Sequence, residues 1–308
     1  MVKILFVGSA LIDVVAKMHS PEEISITGEN PEKLVCARLG SKTELDDIGI
    51  RFGGSAANSA ITARQIGCEA RILSAVGNDE FGRLVEKDLL KHGVGGSIAK
   101  IAGERTGVSV VLLANGEKAA MPFRGANAAL EAKHVEESDV AWCDVLFVTS
   151  MTSKKNVSAF KKLVFLAHKL GKKIVFAPSI SMLKAQLQAV RALHEKFDLI
   201  IMNEEEAGVY TGEKNLEKML AKLPGKAKVI TLAEKGAIAL EKGKVFRVKA
   251  AKTRVVDAAG AGDAFSGAFA AKYFSGSGIK SSLECAAKVA ALKLRHNGAH
   301  LPAKRISV

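Results

Sequence analysis

In the run Asp257-Ala-Ala-Gly260-Ala261-Gly262-Asp263-Ala-Phe265, two glycines stand where a loop enters a helix of small residues. Backbone N–H groups left open at a helix N-terminus form an anion site, and glycine lets a phosphate come close to them. A carboxylate beside such a site weakens ground-state anion binding, so Asp263 needs a reason to be there. Taking the proton from an attacking hydroxyl is one such reason. A plain glycine-rich turn with Asp263 capping its helix accounts for the run equally well. A second run, Gly53-Gly54-Ser-Ala-Ala-Asn58-Ser-Ala60, sets two glycines ahead of another small-residue helix, with Asn58 in its first turn. Asn offers a donor and an acceptor to a polyol, while tight packing of small residues against a sheet explains the same run.

The elements that must position these residues alternate along the chain. Lys3–Gly8 is a continuous apolar run that reads as a buried strand, followed by a helix over 54–66 that Gly67 ends. Short apolar strands at 70–76, 144–149, 173–176, 199–202 and 229–232 are separated by amphipathic helices, the longest over 154–170 and 183–195. Asn115-Gly116 and Lys242-Gly243 each predict a hairpin turn. Two helices over 261–275 and 280–296 follow the second hairpin. Such alternation predicts an α/β fold, a mostly parallel central sheet with helices on both faces. The stretch 24–52 breaks the rhythm with charges and β-branched residues and reads as a small flap inserted after the first strand. The expected organisation is one α/β domain over 1–23 and 53–308 with a lid at 24–52, further lid strands lying around 98–123.

Taken together and in this order, the two runs resemble those of the ribokinase-like (PfkB) family of carbohydrate and nucleoside kinases. Gly8-x-x-x-x-Asp13, Gly77-Asn-Asp79-x-x-Gly82, Asn203-x-x-Glu206 and Thr231-x-x-x-x-Gly236 resemble further motifs of that family, and the likeness runs from Gly8 to about Gly298. The resemblance implies a three-layer ribokinase-like fold with a β-lid that closes over the site and excludes water. It implies transfer of the γ-phosphoryl of ATP to a hydroxyl, with Mg²⁺. On it, Asp263 is the base and the backbone of Gly260, Ala261 and Gly262 belongs to the anion hole. Asp13, Gly53, Gly54 and Asn58 hold the acceptor, with Arg124 and Asn127 of Arg124-Gly-Ala-Asn127 beside them. Asn203, Thr231, Glu234, Gly236, Gly262 and Asn297 serve the nucleotide. Asn203 and Glu206 act on Mg²⁺ largely through water. A monovalent cation, K⁺, is implied near Asp257, Ala259 and Gly298. The chain departs from the family's pattern at Ala258, where threonine is usual, and at Ala233, where glycine is common.

The acceptor is expected to be a small sugar, since one Trp and two Tyr leave few platforms for a nucleobase. A nucleoside kinase, a phosphosugar kinase using Lys42, Arg51 or Arg105, and a non-catalytic nucleotide- or sugar-binding regulator are the alternatives. The 308 residues carry a net charge of +13, but the lysines are spread along the chain without a zinc finger, RNP-type motif or basic region. No nucleic-acid partner is therefore expected. No apolar run reaches the roughly 18 residues that span a bilayer, so no membrane partner is expected. The four cysteines are scattered, which fits free thiols in a reducing cytoplasm. The seven histidines show no catalytic spacing and suit surface or helix-cap positions. A lid strand with an open edge suits either a monomer or a homodimer formed through the lid.

Overall fold

The computed structural model describes residues 1–19, 22–26, 32–36, 39–114 and 117–306. Strands β1 (Lys3–Val7), β2 (Leu11–Met18), β3 (Glu22–Ile26), β4 (Glu32–Cys36) and β5 (Leu45–Gly53) precede the first helix, α1 (Ser55–Gln65). Next come β6 (Glu69–Gly77), α2 (Glu80–Lys91), β7 (Gly95–Ile101), β8 (Val108–Ala114), β9 (Glu117–Phe123), α3 (Glu137–Trp142) and β10 (Val145–Val148). The alternation continues through α4 (Asn156–Lys169), β11 (Lys173–Phe176), α5 (Ile180–Arg191), β12 (Leu199–Asn203), α6 (Glu204–Thr211), α7 (Leu216–Lys222) and β13 (Ala227–Thr231). The order is completed by a hairpin, β14 (Ala237–Glu241) and β15 (Lys244–Val248), and by helices α8 (Ala261–Lys272) and α9 (Gly278–Leu294).

The large sheet has nine strands in the order β15-β14-β13-β12-β11-β10-β1-β6-β7, parallel from β7 to β13. Only the β14–β15 hairpin breaks the parallel pairing. The sheet's inner strand β1, between β10 and β6, is buried on both faces, as a parallel strand covered by two helical layers must be. Ile4 and Phe6 belong to the core shared with α1, α8 and α9, while Leu5 and Val7 belong to the core shared with α4 and α5. Phe6 meets Phe147 of β10 with ring centroids 4.8 Å apart. Each such fully buried side chain contributes about 1.5–3 kcal/mol of burial free energy. No helix among the described residues is long and apolar enough to cross a membrane.

Among the described residues, a second sheet has four strands in the order β5-β2-β8-β9, and β3 pairs with β4. Its membership moves the expected lid boundaries. β2 pairs with β5 and with β8, so this sheet begins at Leu11 and not at residue 24. β7, part of which fell in the stretch 98–123, pairs with β6 in the large sheet. Only Gly8-Ser9-Ala10 separate β1 from β2. β8 and β9 close on each other at Ala114 and Glu117; the Asn115-Gly116 turn itself lies outside the described residues. The second hairpin is formed, with Lys242 and Gly243 both at positive φ (48° and 73°) as a type I′ turn needs.

Candidate active site

Asp263 lies in the first turn of α8, whose N-cap is Gly260. Gly260 has φ 73°, and a Cβ there would stand 1.8 Å from the Ala299 carbonyl oxygen, so only glycine lets the two segments meet. The first-turn amides have no carbonyl four residues back to bond. Among them, the Ala261 N–H reaches the Ala258 carbonyl at 3.3 Å, while no atom would stand within 4 Å of a Cβ on Gly262. The Gly262 and Asp263 amides at this end of α8 are thus geometrically able to receive an anion.

The Asp263 side chain is held from α1. Asn58 Nδ2 donates to Asp263 Oδ2 at 2.8 Å, and Ser59 Oγ donates to the Asp263 carbonyl at 3.1 Å. His300 Nδ1 stands 3.5 Å from Asn58 Oδ1, which suits the amide orientation that points Nδ2 at the carboxylate. α1 comes close because Gly54, at φ 104°, leaves room: a Cβ there would meet the Ser9 carbonyl at 2.4 Å. Ser9 Oγ then accepts the Ser55 N–H at 3.1 Å. A Cβ on Gly53 would stand 2.4 Å from Asp13 Oδ2, so that glycine clears space for the Asp13 carboxylate.

Asp13 and Asp263 thus face one cavity, with Asp257 also in its wall. Burial lifts Asp263 to about 6; the Asn58 hydrogen bond lowers it and the charge of Asp13 raises it. Burial likewise lifts Asp13 to about 6 against the pull of Lys118 and Arg51. Glu206 faces the neighbouring channel and is pushed to about 7, first by burial and then by the charge of Asp263, with the Asn203 amide pulling it down. Asn203 and Glu206 form a reciprocal cap: Asn203 N–H donates to Glu206 Oε2 at 2.9 Å, and Glu206 N–H to Asn203 Oδ1 at 2.8 Å.

Three cavities join here. A cleft of about 660 Å³ is lined by Asn203, Thr231, Glu234 and Gly236 on one side and by Ala258, Ala261, Gly262, Phe265 and the Ala287–Leu294 face of α9 on the other. A narrower channel of about 110 Å³ follows, lined by Thr149, Asn203, Glu206, Thr231, Gly262 and Asp263. Beyond it a cavity of about 330 Å³ lies under the four-stranded sheet, lined by Asp13, Arg51, Gly54, Asn58, Lys118, Arg124 and Asp263 among others. The strand register puts Asp13, Val15, Ser109, Val111, Leu113, Lys118, Ala120 and Pro122 on that sheet's inner face.

Some residues have other work. The Asn127 amide is spent on the Ala10 backbone, accepting its N–H at 3.2 Å and donating to its carbonyl at 3.0 Å, and it also accepts from Ser74 Oγ. It straps the loop carrying Arg124, which itself lines the cavity under the four-stranded sheet. Asn297 is exposed in the turn after α9 and does not line the cleft of about 660 Å³. Asp79 of the Gly77-Asn-Asp79-x-x-Gly82 motif caps α2 through the Gly82 N–H and accepts the Thr106 N–H at 2.8 Å, a joint between strands. Ala233 sits at φ 49°, in the left-handed region where glycine is at ease. Ser9 and His300, which sequence reasoning did not single out, complete the shell around Asn58. Neither belongs to a local motif, and only chain closure brings them in.

The chain matches the pfkB family carbohydrate kinase over residues 1–305. The ATP-dependent 6-phosphofructokinase of Thermoanaerobacterium thermosaccharolyticum is 29% identical over 295 residues, covering 90% of this chain and 89% of that protein. The ribokinase of Schizosaccharomyces pombe is 29% identical over 279 residues, covering 83% of this chain and 84% of that one. The adenosine kinase of Sinorhizobium meliloti superposes with a TM-score of 0.83 at 20% identity, covering 97% and 96% of the two chains. An E. coli protein described as a ribokinase II, in complex with ATP and Mg²⁺, superposes with a TM-score of 0.82 at 23% identity, covering 97% and 94%. The chain belongs to the pfkB family of carbohydrate kinases, phosphotransferases that act on an alcohol group.

Proposed function

We propose that this chain transfers the γ-phosphoryl of ATP to a hydroxyl of a small sugar, with Asp263 as the general base. The observation that carries the reading is the continuity of the three cavities. Gly262 lines both the nucleotide cleft and the channel, and Asp263 lines both the channel and the acceptor cavity. Nucleotide bound in the cleft therefore sends its phosphate tail past the first turn of α8. An acceptor hydroxyl in the far cavity meets it at Asp263. With Oδ2 held by Asn58, Oδ1 is the oxygen that takes the hydroxyl proton. The open amides of Gly262 and Asp263 stabilise the charge that develops on the transferred group. Asn203 and Glu206 suit Mg²⁺: two carboxylates facing one narrow channel are lifted by their surroundings, and a divalent cation relieves both. When bound, that ion neutralises phosphate charge.

The acceptor cavity favours a sugar over a nucleoside. Ser109, Ser150, Ser179 and Ser181 supply hydroxyls, and no aromatic side chain among the described residues lines it to stack a base. A second reading, an anionic acceptor such as a phosphosugar, is favoured by Arg124 and Lys118. Both line the cavity, burial holds the Arg124 guanidinium below its ordinary range, and neither forms an ion pair among the described residues. ADP release with Mg²⁺-ATP across free sugars, sugar phosphates and nucleosides separates these readings. Turnover with one class names the acceptor, and silence across all of them contradicts the kinase assignment.

The lid also bears on assembly. Ile48, Ile50, Val110, Met121 and Phe123 are exposed on the outer face of the four-stranded sheet, opposite the cavity. A homodimer that pairs these faces is the arrangement that covers them. The four cysteines are all free, which suits a reducing cytoplasm.

A further inference from the structure

The sequence resemblance implies a monovalent cation near Asp257, Ala259 and Gly298. What the fold places against Asp257 is the side chain of Lys293, from the last turn of α9. Lys293 is 0% exposed, the one fully buried charged side chain among the described residues. Its Nζ donates to the backbone carbonyls of Asp257 at 2.9 Å and His296 at 3.1 Å, and it forms no ion pair with a carboxylate among the described residues. A buried ammonium held only by neutral acceptors is costly, so its position calls for a function.

The two carbonyls belong to the segments that meet beneath the anion hole. The Val256 and Asp257 N–H groups donate to the Leu294 carbonyl at 2.7 and 3.3 Å, tying the loop before α8 to the end of α9. The Asp257 carboxylate accepts from Ala259 N–H at 2.8 Å, from Gly298 N–H at 3.0 Å and from Arg51 at 3.1 Å. Gly260 then abuts Ala299. Lys293 sits at the hub of this joint, and the joint sets where the first turn of α8 points. Burial pulls the ammonium below its ordinary range and the charge of Asp257 holds it up.

Converging backbone carbonyls are the ligands that K⁺ chooses. An ammonium of the same charge satisfies them equally, without an ion having to be captured from solution. A free cation on these carbonyls would stand against the ammonium, and like charges at that range repel strongly where water is excluded. The implied monovalent cation therefore does not fit this chain. We infer that Lys293 is a positioning residue for phosphoryl transfer, its ammonium taking the place of a monovalent cation, so that nucleotide binding and turnover do not depend on K⁺. The turnover half of this inference rests on the kinase reading; the nucleotide-binding half does not.

The test compares KCl, NH₄Cl, NaCl and choline chloride at equal ionic strength, reading Mg²⁺-ATP affinity by calorimetry, melting temperature, and ADP release with whichever acceptor is active. For the wild-type chain all of these should agree across the salts. A K⁺-specific gain of about tenfold or more in affinity or rate would overturn the inference, whatever any variant does. Lys293→Met should lose roughly tenfold or more in choline, as expected when a catalytic loop shifts by about an ångström. It should recover in K⁺ or NH₄⁺ and gain a K⁺-dependent rise in melting temperature. A Lys293→Met protein that folds and behaves like the wild type in choline would also overturn it. Should Lys293→Met not fold, the wild-type salt series still decides. Silence of every acceptor with normal ATP binding would count against the kinase reading and leave the binding and melting readouts to judge Lys293.

Discussion

In the proposed mechanism Asp263 can act as the base because burial lifts its carboxyl to about 6, high enough to accept a proton readily and low enough to be ionised at neutral pH. A base lifted in the folded protein loses activity as pH falls through that raised value. The rate should therefore be flat above about pH 7 and fall on the acid side of about 6. Asn58→Ala removes the hydrogen bond that lowers this carboxyl, so the acid limb should move to higher pH; a limb that stays put would show that a different group titrates. Asp263, Asn58, Asp13 and Glu206 were legible in the sequence because each stands in a short contiguous motif whose glycines and caps have local reasons. Ser9, His300 and Lys293 were not legible. Their roles come from contacts with partners 46, 242 and 36 residues away in the chain, which no local pattern encodes. Asn127 shows the converse: its motif is local, but its amide is consumed by the Ala10 backbone.

At the scale of elements, the proposed anion hole depends on how α8 begins and what that beginning touches. Gly260 and Gly243 share φ 73°, but a Cβ on Gly260 would strike the Ala299 carbonyl while one on Gly243 would meet nothing within 4 Å. Both alanine variants bear the left-handed penalty of about 1–2 kcal/mol. Gly260→Ala should cost several kcal/mol more and abolish activity, because a contact shorter than any real Cβ contact must be relieved by moving the joint. Urea unfolding of the two variants checks this, and equal losses would contradict the packing argument. The short apolar strands and the helices between them were readable from periodicity, since a parallel strand buried on both faces has an unmistakable composition. The lid's limits were not. β2 follows β1 after only Gly8-Ser9-Ala10, and membership of a sheet is a matter of partners rather than of composition.

For the whole molecule, the four-stranded sheet has two different faces. One closes the proposed acceptor cavity with Asp13, Ser109 and Lys118; the other exposes Ile48, Ile50, Val110 and Met121. If that outer face joins two chains, the wild-type protein should elute and scatter as a dimer, and Ile50→Asp should yield monomer. A wild-type monomer at micromolar concentration would remove the assembly from the account. The net charge of +13 has no concentrated patch in the sequence to match it. Retention on heparin should thus collapse at moderate salt.

The central claim is that Asp263 takes the proton at the junction of the nucleotide and acceptor cavities. It is tested most directly by Asp263→Asn, measured beside the wild type for both ADP release and Mg²⁺-ATP affinity. The expected result is a fall in kcat of roughly 10²–10⁴ with ATP affinity almost unchanged, because the amides of α8 stay in place while the base is lost. Near wild-type turnover in a folded Asp263→Asn protein would contradict it.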